Sequence, residues 1–181
     1  MSEVTKLLTV ITEDEIKSAI ANEARNLSKK FEGQPLVIVA KLSGVFIFIS
    51  DLIRQLKIDA GVQFVVNLNE DVENEIRKEK VKFGIGLENS LKDKNILIVE
   101  DILDAGNSIQ ALYDFVSSEK PKEIMVLTLL DKFKTKRSIN FEYNTLFKVE
   151  SDYFVGYGLD HNESYRGLRD IYKFTNENEA E

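Results

Sequence analysis

The sequence predicts an α/β fold built on an open, mainly parallel sheet flanked by helices, and three observations carry that prediction. Short apolar runs at 36–40, 96–99 and 124–130 are hydrophobic on both parities, as central strands covered on both faces require. Segments with helical apolar spacing lie between them, the order expected of parallel strands joined by right-handed crossovers. The chain has 181 residues, is 43% hydrophobic and contains two prolines, enough to bury one core, and it reads as a single domain over 1–181.

The elements follow in order. Thr12-Glu13-Asp14-Glu15 forms a capping box, with Ile16, Ala19, Ile20, Ala24, Leu27 and Phe31 recurring behind it at helical spacing. A helix over about 13–31 is predicted, closed by Gly33 and Pro35. The run 36–40 is a buried strand, Leu42-Ser43-Gly44 a loop, and 45–56 an apolar helix whose charged positions are Asp51 and Arg54. Residues 62–66 read as the next strand. The stretch 67–82 is polar and charged and reads as an exposed excursion, and 83–87 is weakly strand-like. Then come the central strand 96–99, a helix over 108–117 and a buried strand over 124–130. A basic loop at 131–137 leads to strand-like segments at 145–149 and 153–157, and the acidic end 176–181 is expected to fray.

Composition narrows the chemistry. With no cysteine and one histidine, His161, disulfides, thiolate metal sites and His-cluster metal sites are excluded, so any metal is expected to be hard and oxygen-ligated. The formal net charge of −7 opposes nucleic-acid and anionic-membrane binding. No apolar segment approaches a membrane span or resembles a cleaved leader, and a cytoplasmic location is the expectation.

The most informative string is Ile96-Leu97-Ile98-Val99-Glu100-Asp101-Ile102-Leu103-Asp104-Ala105-Gly106-Asn107-Ser108-Ile109. An apolar strand delivers two adjacent acids to its carboxyl end, the edge where open α/β sheets bind ligands. A third acid and a small-residue loop follow, then a helix start, which suits an anion such as a sugar phosphate. The plain alternative is a strand-to-helix connection with Ser108 as an N-cap. Gly84-Ile85-Gly86 and Gly156-Tyr157-Gly158 open like dinucleotide fingerprints, but Asn89 and His161 stand where the third glycine belongs.

This string resembles the diphosphoribosyl-binding signature of the purine phosphoribosyltransferases. Further along, Leu129-Leu130-Asp131-Lys132, Val155-Gly156-Tyr157-Gly158-Leu159-Asp160 and Tyr165-Arg166-Gly167-Leu168 resemble segments of the hypoxanthine-guanine members of that family. The resemblance implies a type I phosphoribosyltransferase-like fold with a small carboxyl-terminal base-binding hood drawn from about 153–175. It also implies transfer of phosphoribose from phosphoribosyl pyrophosphate to a 6-oxopurine, hypoxanthine or guanine, giving IMP or GMP and pyrophosphate. By the same resemblance Glu100 and Asp101 bind the ribose hydroxyls, while Ala105, Gly106, Asn107 and Ser108 cradle the 5′-phosphate. Asp104 exchanges a proton with the purine, Lys132 donates to its 6-oxo group and Tyr153 stacks on it. Phe154 and Asp160 line the base, and Arg166 faces the pyrophosphate. Mg²⁺ is the implied cofactor, held by Glu100, Asp101 and Asp160, and the implied assembly is a homo-oligomer, dimer or tetramer. A lysine donor suits a keto oxygen and leaves the amino group of adenine badly paired, so 6-oxopurines are the expected class.

Two departures stand out. The loop after the first buried strand has Ser43 beside Gly44 where the family carries Lys or Arg, with Lys41 two residues away on the strand side. The region Asn67-Leu68-Asn69-Glu70-Asp71 lacks the Ser-Tyr pair of the family's mobile loop. Both fall on the pyrophosphate and lid side, and they motivate an alternative: a non-catalytic relative that binds nucleotide or phosphoribosyl pyrophosphate as a sensor or assembly partner.

Overall fold

The computed structural model describes residues 6–67, 83–84 and 90–175. The readings of 68–82 as an excursion, of 85–87 as strand and of 176–181 as a tail fall outside the described residues. In chain order the elements are β1 (Lys6–Ile11), α1 (Glu13–Lys30), β2 (Leu36–Lys41), α2 (Phe46–Gln55), β3 (Ala60–Asn67) and β4 (Phe83–Gly84). They continue with β5 (Asn95–Leu103), α3 (Asn107–Ser118), β6 (Glu123–Lys132), β7 (Asn144–Val149), β8 (Phe154–Val155) and β9 (Ile171–Thr175).

The main sheet has the order β4-β3-β2-β5-β6-β7. Its members β3, β2, β5, β6 and β7 run parallel, and β4 adds antiparallel to β3. The apolar runs explain why. In β2, Ile38 and Ala40 pack toward α1 and α2, together with Leu97 and Val99 of β5 and Leu127 and Leu129 of β6. Val37 and Val39 face the other way, with Ile96, Ile98 and Val126, against Ile109, Leu112 and Val116 of α3. Both parities are thus buried, which only a sheet covered by helices on both sides allows. The capping box of α1 is present: Glu15 N donates to Thr12 Oγ1 at 3.3 Å, and the Glu15 carboxylate accepts from Thr12 N at 2.8 Å.

Three differences from the sequence reading matter for the site. β5 continues through Glu100 and Asp101 to Leu103, and β6 continues to Lys132, because their parallel pairing persists from Asn95 opposite Glu123 to Leu103 opposite Asp131. The acids stand at the carboxyl end of the strand, as the sequence reading has them, though the strand runs on past them, and Lys132 belongs to a strand end rather than to the basic loop. The strand expected at 153–157 stops at Val155, since Gly156, Tyr157 and Gly158 all take positive φ, outside β space. The third difference is a second sheet, β1-β9-β8, in which β1 pairs antiparallel with β9 from Lys6 opposite Thr175 to Ile11 opposite Ile171. Neither β1 nor β9 was expected. This small sheet joins the body through Ile11, Phe154, Tyr157, Leu159 and Ile171, which share one hydrophobic cluster with α1 and α2.

The connections set the position of the site. From β2 the chain passes through α2 to β3 on one side, and from the adjacent β5 it passes through α3 to β6 on the other. The loops leaving β2 and β5 diverge, opening a crevice at the carboxyl edge where strand order reverses. Among the described residues, no helix is long and apolar enough to cross a membrane.

Candidate active site

The crevice between the main and small sheets holds a cavity of about 300 Å³. Its floor comes from strand ends and the β2 loop: Ser43, Gly44, Asp101, Ile102 and Lys132. Its other wall comes from the small-sheet side: Tyr153, Phe154, Leu159, Asp160 and Arg166. All but Ile102 and Leu159 were singled out from sequence.

The two adjacent acids part ways because successive strand residues face opposite sides. Asp101 borders the cavity, and its carboxylate accepts from Ile102 N at 2.8 Å. Glu100 lies on the parity of Ile96 and Ile98, toward α3. Burial raises the Glu100 carboxyl to about 8, helped by the Asp101 charge and opposed by Lys41. Asp101 is raised too, again chiefly by burial, against backbone donors and the charges of Lys41 and Arg166. Gly44 is where it is because a Cβ there would collide with the Asp101 carboxylate. Gly158 is required for the matching reason from the other side, since its Cβ would strike the Gly44 carbonyl. These two contacts bring the β2 loop, the β5 acid and the 156–158 turn together. The Leu42–Ser43 peptide in that loop is cis.

Asp104 and Lys132 meet across the ends of β5 and β6, with Lys132 Nζ 3.0 Å from Asp104 Oδ2. Asp104 is half exposed, whereas the lysine side chain is only 14% exposed. Burial pushes the Asp104 carboxyl up, but hydrogen bonds from Lys132 and Thr135 and the charges of Lys132 and Arg137 outweigh it, leaving it below the ordinary aspartate value. Arg137 ties this corner together. Its Nε donates to the Asp104 carbonyl at 3.0 Å, and its Nη2 donates to the carbonyls of Lys132 at 2.7 Å and Leu103 at 3.2 Å. Nη2 also pairs with the buried Asp131, whose other oxygen accepts from Tyr143 at 3.0 Å.

The loop Ala105, Gly106, Asn107, Ser108 lies beside the cavity rather than lining it, at the start of α3. The N-cap is Gly106, which supplies no capping side chain. Ser108 is therefore not the cap; its hydroxyl accepts from Lys41 Nζ at 3.2 Å. On the opposite wall Phe154 is buried and Tyr153 is 54% exposed. The Tyr153 hydroxyl donates to the Asp160 carbonyl at 3.0 Å. The Asp160 carboxylate lies 2.9 Å from Arg166 Nη2 and accepts from Glu163 N at 2.8 Å, while Arg166 Nη1 donates to the Gly158 carbonyl at 2.7 Å. His161, assigned no chemistry from sequence, packs edge-on against Tyr153 and Phe174. Lys41 and Arg137 were missed as partners of the site because both act across chain-distant elements; an ion at the end of an otherwise apolar strand was the available signal for Lys41.

Among the described residues no group of three or more His, Cys, Asp or Glu side chains is placed to hold a metal ion, so Glu100, Asp101 and Asp160 do not form one protein cage. The donor set still suits Mg²⁺, which takes one or two carboxylates and completes its shell with substrate oxygens and water. Two neighbouring carboxyls whose ionisation is suppressed by burial are groups that a cation would relieve.

Comparison with known proteins agrees with this architecture. The family model described as phosphoribosyl transferase domain matches residues 10–163. The chain is 32% identical over 162 residues to the hypoxanthine phosphoribosyltransferase of Escherichia coli K12, covering 88% of this chain and 90% of that protein. It is equally 32% identical to the hypoxanthine-guanine phosphoribosyltransferase of Staphylococcus aureus Mu50, covering 88% of each. The crystal structure of a hypoxanthine-guanine phosphoribosyltransferase from Bacillus anthracis superposes with a TM-score of 0.82 at 31% identity, over 94% of this chain and 99% of that one. With its five parallel strands and flanking helices, the fold is that of the type I phosphoribosyltransferases, and the chain belongs to the phosphoribosyltransferase family, among its hypoxanthine-guanine members.

Proposed function

We propose that this chain is a purine-salvage phosphoribosyltransferase that moves phosphoribose from phosphoribosyl pyrophosphate to a 6-oxopurine, releasing pyrophosphate and a nucleoside monophosphate. The observation that carries the reading is one cavity of about 300 Å³ in which Asp101 and Lys132, at neighbouring strand ends, lie opposite a wall that includes Tyr153 and Phe154. In this reading the small sheet with its following turn is the base-binding hood of a single domain.

Tyr153 stacks on the purine, Phe154 lines it, and Lys132 donates to the 6-oxo group after leaving Asp104. Asp101 and Glu100 accept from the ribose hydroxyls, and residues 105–108 receive the 5′-phosphate on the amides that open α3. The purine nitrogen forms a bond to ribose C1 as the C1–O bond to pyrophosphate breaks, and the leaving group takes that electron pair. Asp104 takes the N7 proton of the base. Holding base and C1 in one crevice supplies much of the acceleration. Mg²⁺, held through the carboxylates at the end of β5, Asp101 and Glu100, would neutralise the pyrophosphate charge, while Asp160 stays on the other wall, paired with Arg166. Arg166 reaches the same wall as a fixed cation.

The test is direct: purified protein with Mg²⁺ and phosphoribosyl pyrophosphate is incubated with hypoxanthine, guanine, xanthine or adenine, and nucleotide and pyrophosphate are measured. Product with a 6-oxopurine and little with adenine is the expected result. Tight ligand binding without product in any mixture would instead identify a non-catalytic relative, the outcome that Ser43 motivates. The same reading includes assembly as a dimer or tetramer, which sedimentation showing only monomer at working concentration would remove.

A further inference from the structure

Ser43 stands where a basic residue is expected beside Gly44, and Lys41 is the nearest lysine in sequence. The two positions do not serve the same part of the crevice. Ile38 and Ala40 of β2 are buried toward α1 and α2, and Val37 and Val39 toward α3. Alternation therefore carries Lys41 to the α3 side, whereas Ser43 and Gly44 border the cavity together with Asp101. The hydrogen bond from Lys41 Nζ to Ser108 Oγ, 3.2 Å, agrees with that assignment.

We propose that Lys41 is a binding residue for the 5′-phosphate of both phosphoribosyl pyrophosphate and the nucleotide, and does not replace the missing cation on the pyrophosphate side. This deepens the function proposed above and rests on its assignment of residues 105–108 to the 5′-phosphate. An ammonium group has three donors, and Ser108 takes one, leaving two for an anion at the same loop. The Ser108 hydroxyl has a proton of its own to give, and the amides at the start of α3 meet no capping side chain. A dianionic phosphate seated there would receive a charged donor, a hydroxyl and main-chain N–H groups from two adjacent strands' ends, β2 and β5. Lys41 follows Ala40, which pairs with Val99, so it ends β2 beside Glu100 of the adjacent β5, and its charge opposes the effect of burial on Glu100 and Asp101. One cation thus serves both the phosphate loop and the acids beside the ribose.

The two placements predict different losses. The 5′-phosphate is common to the substrate and the nucleotide product, whereas the pyrophosphate belongs to the substrate alone. Lys41→Met is expected to weaken binding of a 6-oxopurine nucleoside monophosphate by about ten- to a hundredfold, the loss of one charge-assisted hydrogen bond. Binding of the corresponding nucleoside, which lacks the phosphate, should stay within about twofold, and so should KM for pyrophosphate in the reverse reaction. KM for phosphoribosyl pyrophosphate should rise more than kcat falls, and Lys41→Arg should restore most of the nucleotide affinity. Nucleotide binding equal to wild type in Lys41→Met overturns the proposal, as does a rise confined to the pyrophosphate KM. Equal loss of nucleotide and nucleoside would reveal a structural role and also overturn it. Wild-type protein that binds neither phosphoribosyl pyrophosphate nor nucleotide would remove the functional reading itself, an outcome distinct from all of these.

Discussion

At the scale of single residues, the environment of each carboxyl decides what it can do. Asp104 is held below its ordinary value, so it is ionised and able to accept a proton at neutral pH. Asp104→Asn preserves its shape and removes that capacity; kcat is expected to fall by about 10²–10⁴ while nucleotide affinity changes little. Steady-state rates with parallel calorimetric binding measure both, and an unchanged kcat would remove Asp104 from the mechanism. Glu100 is the opposite case, raised to about 8 by burial first and by Asp101 second. Between its unfolded value near 4.5 and its folded value the native state keeps a proton that the unfolded chain has lost. Stability therefore falls as pH rises across that window. Glu100→Gln mimics the protonated form, so it should melt close to wild type near pH 5 and a few degrees above it near pH 8. Partial solvation of the site holds the gain at pH 8 to about 1–2 kcal/mol. Melting curves at the two pH values decide it, and an equal shift at both would show that the carboxyl's charge is not the source.

At the scale of elements, the ends of β5 and β6 are held by a side chain that belongs to neither. Arg137, in the loop before β7, binds the carbonyls of Leu103, Asp104 and Lys132 and pairs with Asp131, which is 2% exposed. Arg137→Met would leave the Asp131 carboxylate buried without its partner, and a loss of about 3–5 kcal/mol is expected in urea denaturation. A loss under about 1 kcal/mol would mean that Tyr143 and solvent suffice for Asp131. From sequence, 131–137 read as a solvated basic loop, because nothing local distinguishes a lysine-rich turn from one whose arginine folds back onto two strands. β2, α1, α2 and β5 were legible because their evidence is local: a capping box, helical spacing, apolar runs on both parities. The acids and the small loop after them were legible for the same reason. β1 and β9 were not. Lys6–Ile11 and Ile171–Thr175 are short, flanked by no hairpin turn, and pair only because the fold brings chain segments some 160 residues apart side by side. The reach of β5 past Val99 was hidden likewise, since the pairing of Leu103 with Asp131 is a property of two strands.

At the scale of the whole molecule, the site exists only between two sheets, and they carry different halves of the proposed chemistry. β5 and the turn into α3 supply Glu100, Asp101 and the loop 105–108, whereas Phe154 lies in β8, with Tyr153 just before it, and β8 is held in the small sheet by β9. β9 in turn pairs with β1, and Glu13 N donates to Asp170 Oδ1 at 2.7 Å, so the amino-terminal segment fixes the base-facing wall from behind. Removing residues 1–9 deletes most of β1 but spares Ile11, which is buried in the core, and the Thr12 capping box. The main sheet and its ribose and phosphate determinants keep every strand partner. β9 instead loses its neighbour on one side, and the wall built on it becomes less well positioned. KM for the purine base is therefore expected to rise by about five- to tenfold, and the dissociation constant for phosphoribosyl pyrophosphate to stay within about twofold. Measuring both on the shortened chain separates a loosened hood from general damage. Equal losses for base and phosphoribosyl pyrophosphate would show that the two sheets act as one unit, and no loss for the base would show that β8 and β9 hold Tyr153 and Phe154 without help from β1.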